Sequence, residues 1–153
     1  MSDVNWQLVQ LLQDKWDDTN AARPEITDES YNEELNLPQL CLPRDDENSE
    51  GESGFYAMSG SGGGPIQLVS GEAEGGIWTT REAIQDIDAG LNPKTWLSDA
   101  KEEAARVVLN NLEAIAGLEY ISWAGDNNMH ETDGDPTIYR KVIRIGYQYL
   151  RGA

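Results

Sequence analysis

An α+β domain, with a mixed or mainly antiparallel sheet, an N-terminal helix and a second helix packed on one face, is the architecture this sequence predicts. Three observations point to it. Apolar residues recur at helical spacing near the start and again after residue 100, several short β-type stretches lie between, and the closing stretch TIYRKVIRIGYQYLR alternates with period two. With 153 residues, no internal repeat and no linker between two cores, the chain reads as a single domain over 1–153.

Leu8, Val9, Leu12 and Trp16 define an amphipathic opening helix of about four turns, bounded by Pro24. The apolar LNLPQLCLP at 35–43 reads as a short edge strand, because Pro38 and Pro43 argue against a central one. FYAM stands between two Gly-, Ser- and acid-rich stretches, which predicts mobile loops at about 45–54 and 59–64. PIQLV and IWTT read as two strands joined across SGEAEGG, and REAIQDIDAG as one or two helical turns ending at Gly90. Asp99 and Glu102 have the spacing of a capping box for the second helix, Gly117 stands where a C-terminal glycine belongs, and Ala104, Val107, Val108, Leu112 and Ile115 form its apolar stripe. LEYISWAG and the closing strand then make an antiparallel hairpin with an extended loop at about 125–136.

Charge constrains function. The chain holds 28 acids against 11 Lys and Arg, a net charge of −17, and only four of the basic residues are lysines. Such a body repels phosphate backbones and anionic lipid. Its self-repulsion is relieved when molar salt shortens the Debye length to about 3 Å. Adaptation to high salt, in a halophile or a virus of one, is the expectation. The opening MSDVNWQLVQ carries neither the basic flank nor the apolar core of a signal peptide, and no window reaches the ~20 apolar residues of a membrane span.

Catalytic and ligand motifs fail one by one. From Gly60 the second glycine of a phosphate loop would fall on Pro65, and no Lys follows. DNNMHETDGD collects hard oxygen donors, but Met129 stands where an EF-hand needs an acid five residues before Gly134. His130, the sole histidine, sits in an acidic stretch and reads as solvated; Cys41, the sole cysteine, reads as a small buried hydrophobe and excludes an internal disulfide. No catalytic residue, metal ligand or cofactor site is expected.

One asymmetry remains. Arg140, Lys141, Arg144 and Arg151 make the segment from 136 onward +4, leaving −21 for the rest. In the closing strand Tyr139, Ile143, Ile145, Tyr147 and Tyr149 share one face and Arg140, Arg144 and Gln148 the other. These arginines meet acids within the chain, on a neighbouring copy, or, least favourably, on nucleic acid. Arg140, Arg144, Tyr147, Tyr149 and Arg151 are the candidate interface residues.

In its element order the chain resembles the tail-terminator proteins of tailed viruses and the related head-tail joining and minor tail proteins. The likeness rests on an N-terminal helix, short central strands with a long loop, a helix like AKEEAARVVLNNLEAIAG, and a closing pair like LEYISWAG with IYRKVIRIGYQYLRG. It implies a tail-terminator-like fold and a structural, non-enzymatic virion protein, found in the host cytoplasm during assembly. It implies a homo-oligomeric ring, commonly a hexamer, on the tail tube protein, joined to a neck protein, with the genome passing through but no specific nucleic-acid recognition and no membrane partner. The acidity directs this toward a virus of halophilic archaea. Another neck or minor tail protein, a halophilic host enzyme subunit and a binding module are the alternatives.

The charge makes a direct prediction. The midpoint of cooperative thermal unfolding rises as KCl goes from about 0.1 M to about 2 M, because screening relieves the repulsion; a flat or falling midpoint in calorimetry contradicts the salt-adapted reading.

Overall fold

The computed structural model describes residues 4–30, 37–49, 55–56, 66–111, 113–115, 117–132 and 138–152. Helix α1 (Val4–Lys15) leads into the short strand β1 (Glu25–Thr27), then β2 (Gln39–Ser49), β3 (Phe55–Tyr56) and the long β4 (Ile66–Thr80). Two helices follow, α2 (Arg81–Ile87) and α3 (Pro93–Asn110), and the chain closes with β5 (Leu118–Thr132) and β6 (Ile138–Gly152). The α+β class with a mixed sheet is as the sequence predicts. The strands lie in the order β1-β2-β4-β6-β5, with β3 beside β4; β1 and β2 are parallel and the other pairs antiparallel.

The β4–β6 ladder runs without a register shift from Ile66 opposite Gly152 to Thr80 opposite Ile138. One face of it is core. Val69, Ala73 and Ile77 of β4 and Ile143, Ile145, Tyr147 and Tyr149 of β6 are buried with Leu8 and Leu12 of α1, Leu40 and Leu42 of β2, Ile84 of α2, and Trp96, Ala100, Ala104, Val107 and Val108 of α3. The expected stripe on the second helix is thus real at Ala104, Val107 and Val108, Ile115 is buried just beyond the helix, and Leu112 lies outside the described residues.

Several local expectations are corrected. SGEAEGG is no connection: Ser70–Gly76 is the middle of one 15-residue strand. Its glycines supply space rather than a turn. None of Gly71, Gly75 and Gly76 has a positive φ. An ideal Cβ on Gly71 would lie 2.5 Å from the Tyr147 ring and hydroxyl, one on Gly75 would overlap the Cys41 carbonyl, and one on Gly76 would meet the Trp78 ring at 2.9 Å. The stretch expected as an edge strand is internal at Gln39–Cys41, between β1 and β4. Pro38 precedes the strand, and Pro43 falls in the irregularity between Cys41 and Arg44, where its missing N–H breaks no ladder bond.

The loop expectations shrink. Residues 45–49 pair with β4 as part of β2, and 125–129 and 132 pair with β6 as part of β5. Pairing along β6 overrides the turn chemistry of the Asn- and Asp-rich segment, at the cost of two register shifts, one of them at Gly125 with φ 142°. The remainders, 50–54, 59–64 and 133–136, lie outside the described residues.

The capping box is misplaced as well. Helix α3 starts at Pro93, with Asn92 as N-cap accepting from Lys94 N–H at 2.8 Å, so Asp99 and Glu102 lie within the helix. It ends at Asn110, where Asn111 donates from its backbone N–H to Val108 and from its side chain to Val107; Gly117, with φ 91°, lies in the turn before β5 instead. Thr80 caps α2 by accepting from Ala83 N–H.

The close approach at β4 predicts a paired result. Gly75→Ala destabilises by about 1–3 kcal/mol, because a backbone carbonyl cannot swing aside, while Gly90→Ala, whose Cβ would meet nothing nearer than 3.7 Å, is neutral or stabilises by up to about 1 kcal/mol. Urea midpoints of the two variants check this.

Candidate functional site

Strand β6 places the expected interface residues on two faces. Tyr147 and Tyr149 are 1% and 6% exposed, their rings stacked at 6.4 Å on the helix side. Both belong to this chain's own core and present no surface to a neighbour, which corrects their inclusion: in this sheet the aromatic face of β6 is the face that α3 covers. Arg140 and Arg144 lie on the opposite face, half-buried. The Arg151 backbone is in β6 opposite Gln67.

Both described arginines meet groups of their own chain. The Arg140 guanidinium carbon sits 4.8 Å from the centroid of the Trp78 ring, a cation–π contact with its directly opposite neighbour on β4. Its Nε is buried without a hydrogen-bond partner. Arg144 lies directly across from Glu74, a register in which opposite charges attract. Lys141 is buried on the helix side, opposite Ile77.

A carboxylate that motif reading passes over organises the helix layer. Glu103, 1% exposed, accepts from Arg106 Nε and Nη2 at 2.6 Å each, from the Asp17 backbone N–H at 2.6 Å and from Asn20 Nδ2 at 2.8 Å. Arg106 also donates to the Lys15 carbonyl at 3.0 Å, closing the end of α1 onto α3. Burial alone would push the Glu103 carboxyl up, but the Arg106 guanidinium and the Asp17 and Asn20 donors outweigh it and hold it below the ordinary carboxylate range. Asp17 is held low by the Thr19 hydroxyl and N–H. The signal for Glu103 was its position: it falls among Trp96, Ala100, Ala104 and Val107, where helical spacing turns a side chain inward. Beside it, Thr19, Asn20, Asp99, Glu102, Glu103 and Arg106 line an open cleft of about 380 Å³.

Burial raises the Cys41 thiol, whose contacts are Gln39 and Thr27. Asn127, Asn128, His130 and Glu131 lie along β5 rather than in a ligand-wrapping loop. Among the described residues no group of three or more His, Cys, Asp or Glu side chains could hold a metal ion, and no helix is long and apolar enough to cross a membrane.

The two sheet edges differ. At β1 only three residues are paired, and Gln13 of α1 donates to the Ile26 carbonyl at 2.8 Å. At the other end β5 is a 15-residue outermost strand. On the face away from the helices, Tyr120 is 52% and Leu150 41% exposed. An outermost strand of that length, with exposed apolar residues beside it, suits association rather than enclosure of a small molecule. Comparison with protein-family models returns no match, and comparison with curated proteins returns none.

The Glu103 contacts set a stability prediction. Glu103→Gln costs about 2–3 kcal/mol at pH 7, since it removes a charge that four donors stabilise. A depressed folded-state value contributes stability above the unfolded carboxylate value of about 4.3, and that stability is lost as pH falls through the lower folded value. The gap between wild type and variant in denaturant midpoint therefore narrows below about pH 4; a gap independent of pH contradicts the role.

Proposed function

We propose that this chain is a structural virion protein of a tailed virus, a subunit of a homo-oligomeric ring at the head-proximal end of the tail that caps the tail tube and joins it to the neck. The observation that carries the reading is the edge asymmetry of the sheet: β5 offers a long outermost strand, while β1 is short and occupied by Gln13. An outermost strand of that length can take an extended segment of a neighbour by strand addition, a general mode of docking at sheet edges. The unlike edges also suit a head-to-tail contact, the kind that closes into rings. The net charge of −17 fits a particle that assembles in molar salt and keeps clear of nucleic acid except as a passage for it.

Light scattering on the purified protein in about 2 M KCl, alone and with tail tube protein, tests the proposal. The expected result is a closed ring of fixed mass that stops tube polymerisation when added in stoichiometric amount. A protein that forms no ring alone or on the tube, and leaves tube length unchanged, overturns it.

A further inference from the structure

The face of the sheet turned away from the helices carries charge unlike the rest of the molecule. Its described charged residues on β4 and β6 are Glu72, Glu74, Arg140 and Arg144, a net charge of zero on a chain of −17. Two copies of this protein repel one another in most orientations; here they do not. The residues facing out are also arranged in complementary pairs across the β4–β6 ladder: Leu68 opposite Leu150, Ser70 opposite Gln148, Glu72 opposite Gly146 and Glu74 opposite Arg144.

That register has a geometric result. A twofold axis lying between two stacked sheets, parallel to the strands and midway between β4 and β6, sets β4 of one copy over β6 of the other at the same level. Glu74 then lies over the second copy's Arg144 and Arg144 over its Glu74. Leu68 meets Leu150, and Ser70 meets Gln148, already within 3.2 Å of each other inside one chain. Glu72 lies over Gly146, where the missing side chain leaves room. We propose that this face binds a second copy of the chain, forming a twofold sheet-on-sheet dimer about that axis.

Sheets stack face to face about 10 Å apart with strands aligned within about 30°, the arrangement the axis produces. From Leu68 to Glu74 the strands β4, β6 and β5 present a face of about 20 Å by 14 Å, roughly 300 Å² of footprint per copy; farther along the same side Trp78 and Val142 are buried. That is about half of the roughly 600 Å² per partner at the weak end of stable interfaces, so the dimer forms only at high concentration. Partly exposed Leu150 and Tyr120 supply apolar area at one end, and the paired charges lie at the other. The contact is twofold, unlike the head-to-tail contact of a ring, and does not depend on the proposed role in a tail.

Sedimentation of the full chain in about 2 M KCl, where repulsion between copies is screened, tests it. Wild type is expected to shift from monomer to dimer with concentration. Glu74→Arg and Arg144→Glu each place like charges over like and weaken self-association about thirtyfold or more. Mixed in equal amounts, they form a heterodimer, because two arginines of one then lie over two glutamates of the other. This rescue separates a contact between copies from the Glu74–Arg144 pairing inside one chain, which is broken in both variants. Leu150→Asp, at an exposed position, weakens the dimer with an unchanged melting midpoint and gives an answer if either charge variant fails to fold. A wild type that stays monomeric, variants that associate like wild type, a mixture that stays monomeric, or a ring insensitive to all three substitutions overturns the proposal.

Discussion

The rest of the structure depends on the ladder between β4 and β6. Fifteen consecutive residue pairs without a register shift lock the alternation of both strands, since a slip of one residue would send every core side chain to the outer face. The ladder is internal on both sides, with β2 beyond β4 and β5 beyond β6. It persists through Gly71, Gly75 and Gly76 because those positions have no side chain to oppose Tyr147, the Cys41 carbonyl or the Trp78 ring. Glycine weakens an isolated strand; here it allows two neighbouring strands and a large aromatic ring to close on the same stretch.

The helix layer is fastened by a different kind of interaction. Apolar packing places α1 and α3 side by side on the sheet, and Glu103 then joins the turn after α1 to α3 through donors at Asp17, Asn20 and Arg106. A buried carboxylate with four donors is costly to form and more costly to strand, so its value lies in fixing one relative placement of the helices. Among the described residues it is the one acid that is buried.

The basic closing strand acquires a physical account from the same register. Arg140 rests on Trp78 and Arg144 stands opposite Glu74, so the positive charge neutralises the outer sheet face instead of projecting as a basic patch. In a strongly acidic molecule this balance of charge on β4 and β6 lies beside the exposed Tyr120 and Leu150. Of the three uses open to these arginines, contact within the chain is present for Arg140 on Trp78, and the proposed dimer would add a second use to Arg144.

The sequence by itself determined the class of the fold, the two amphipathic helices and the two faces of β6, because each rests on a local periodicity that a helix or strand must satisfy. Tyr139, Ile143 and Ile145 alternate with Arg140 and Arg144 whatever lies beside them. Only the tertiary structure decided that SGEAEGG is strand, that β2 passes Pro43, and that the Asn- and Asp-rich run after Gly125 stays paired. Glycine, proline and asparagine raise the same turn signal whether they form a turn, make room for a neighbour or sit at a bulge. Which of these holds depends on what packs alongside, and for Gly75 that neighbour is Cys41, 34 positions earlier in the chain. The site followed the same division: the arginine face was legible from alternation, whereas Tyr147 and Tyr149 passed from candidate interface to core because α3 covers their side of the sheet, a choice made by long-range packing alone.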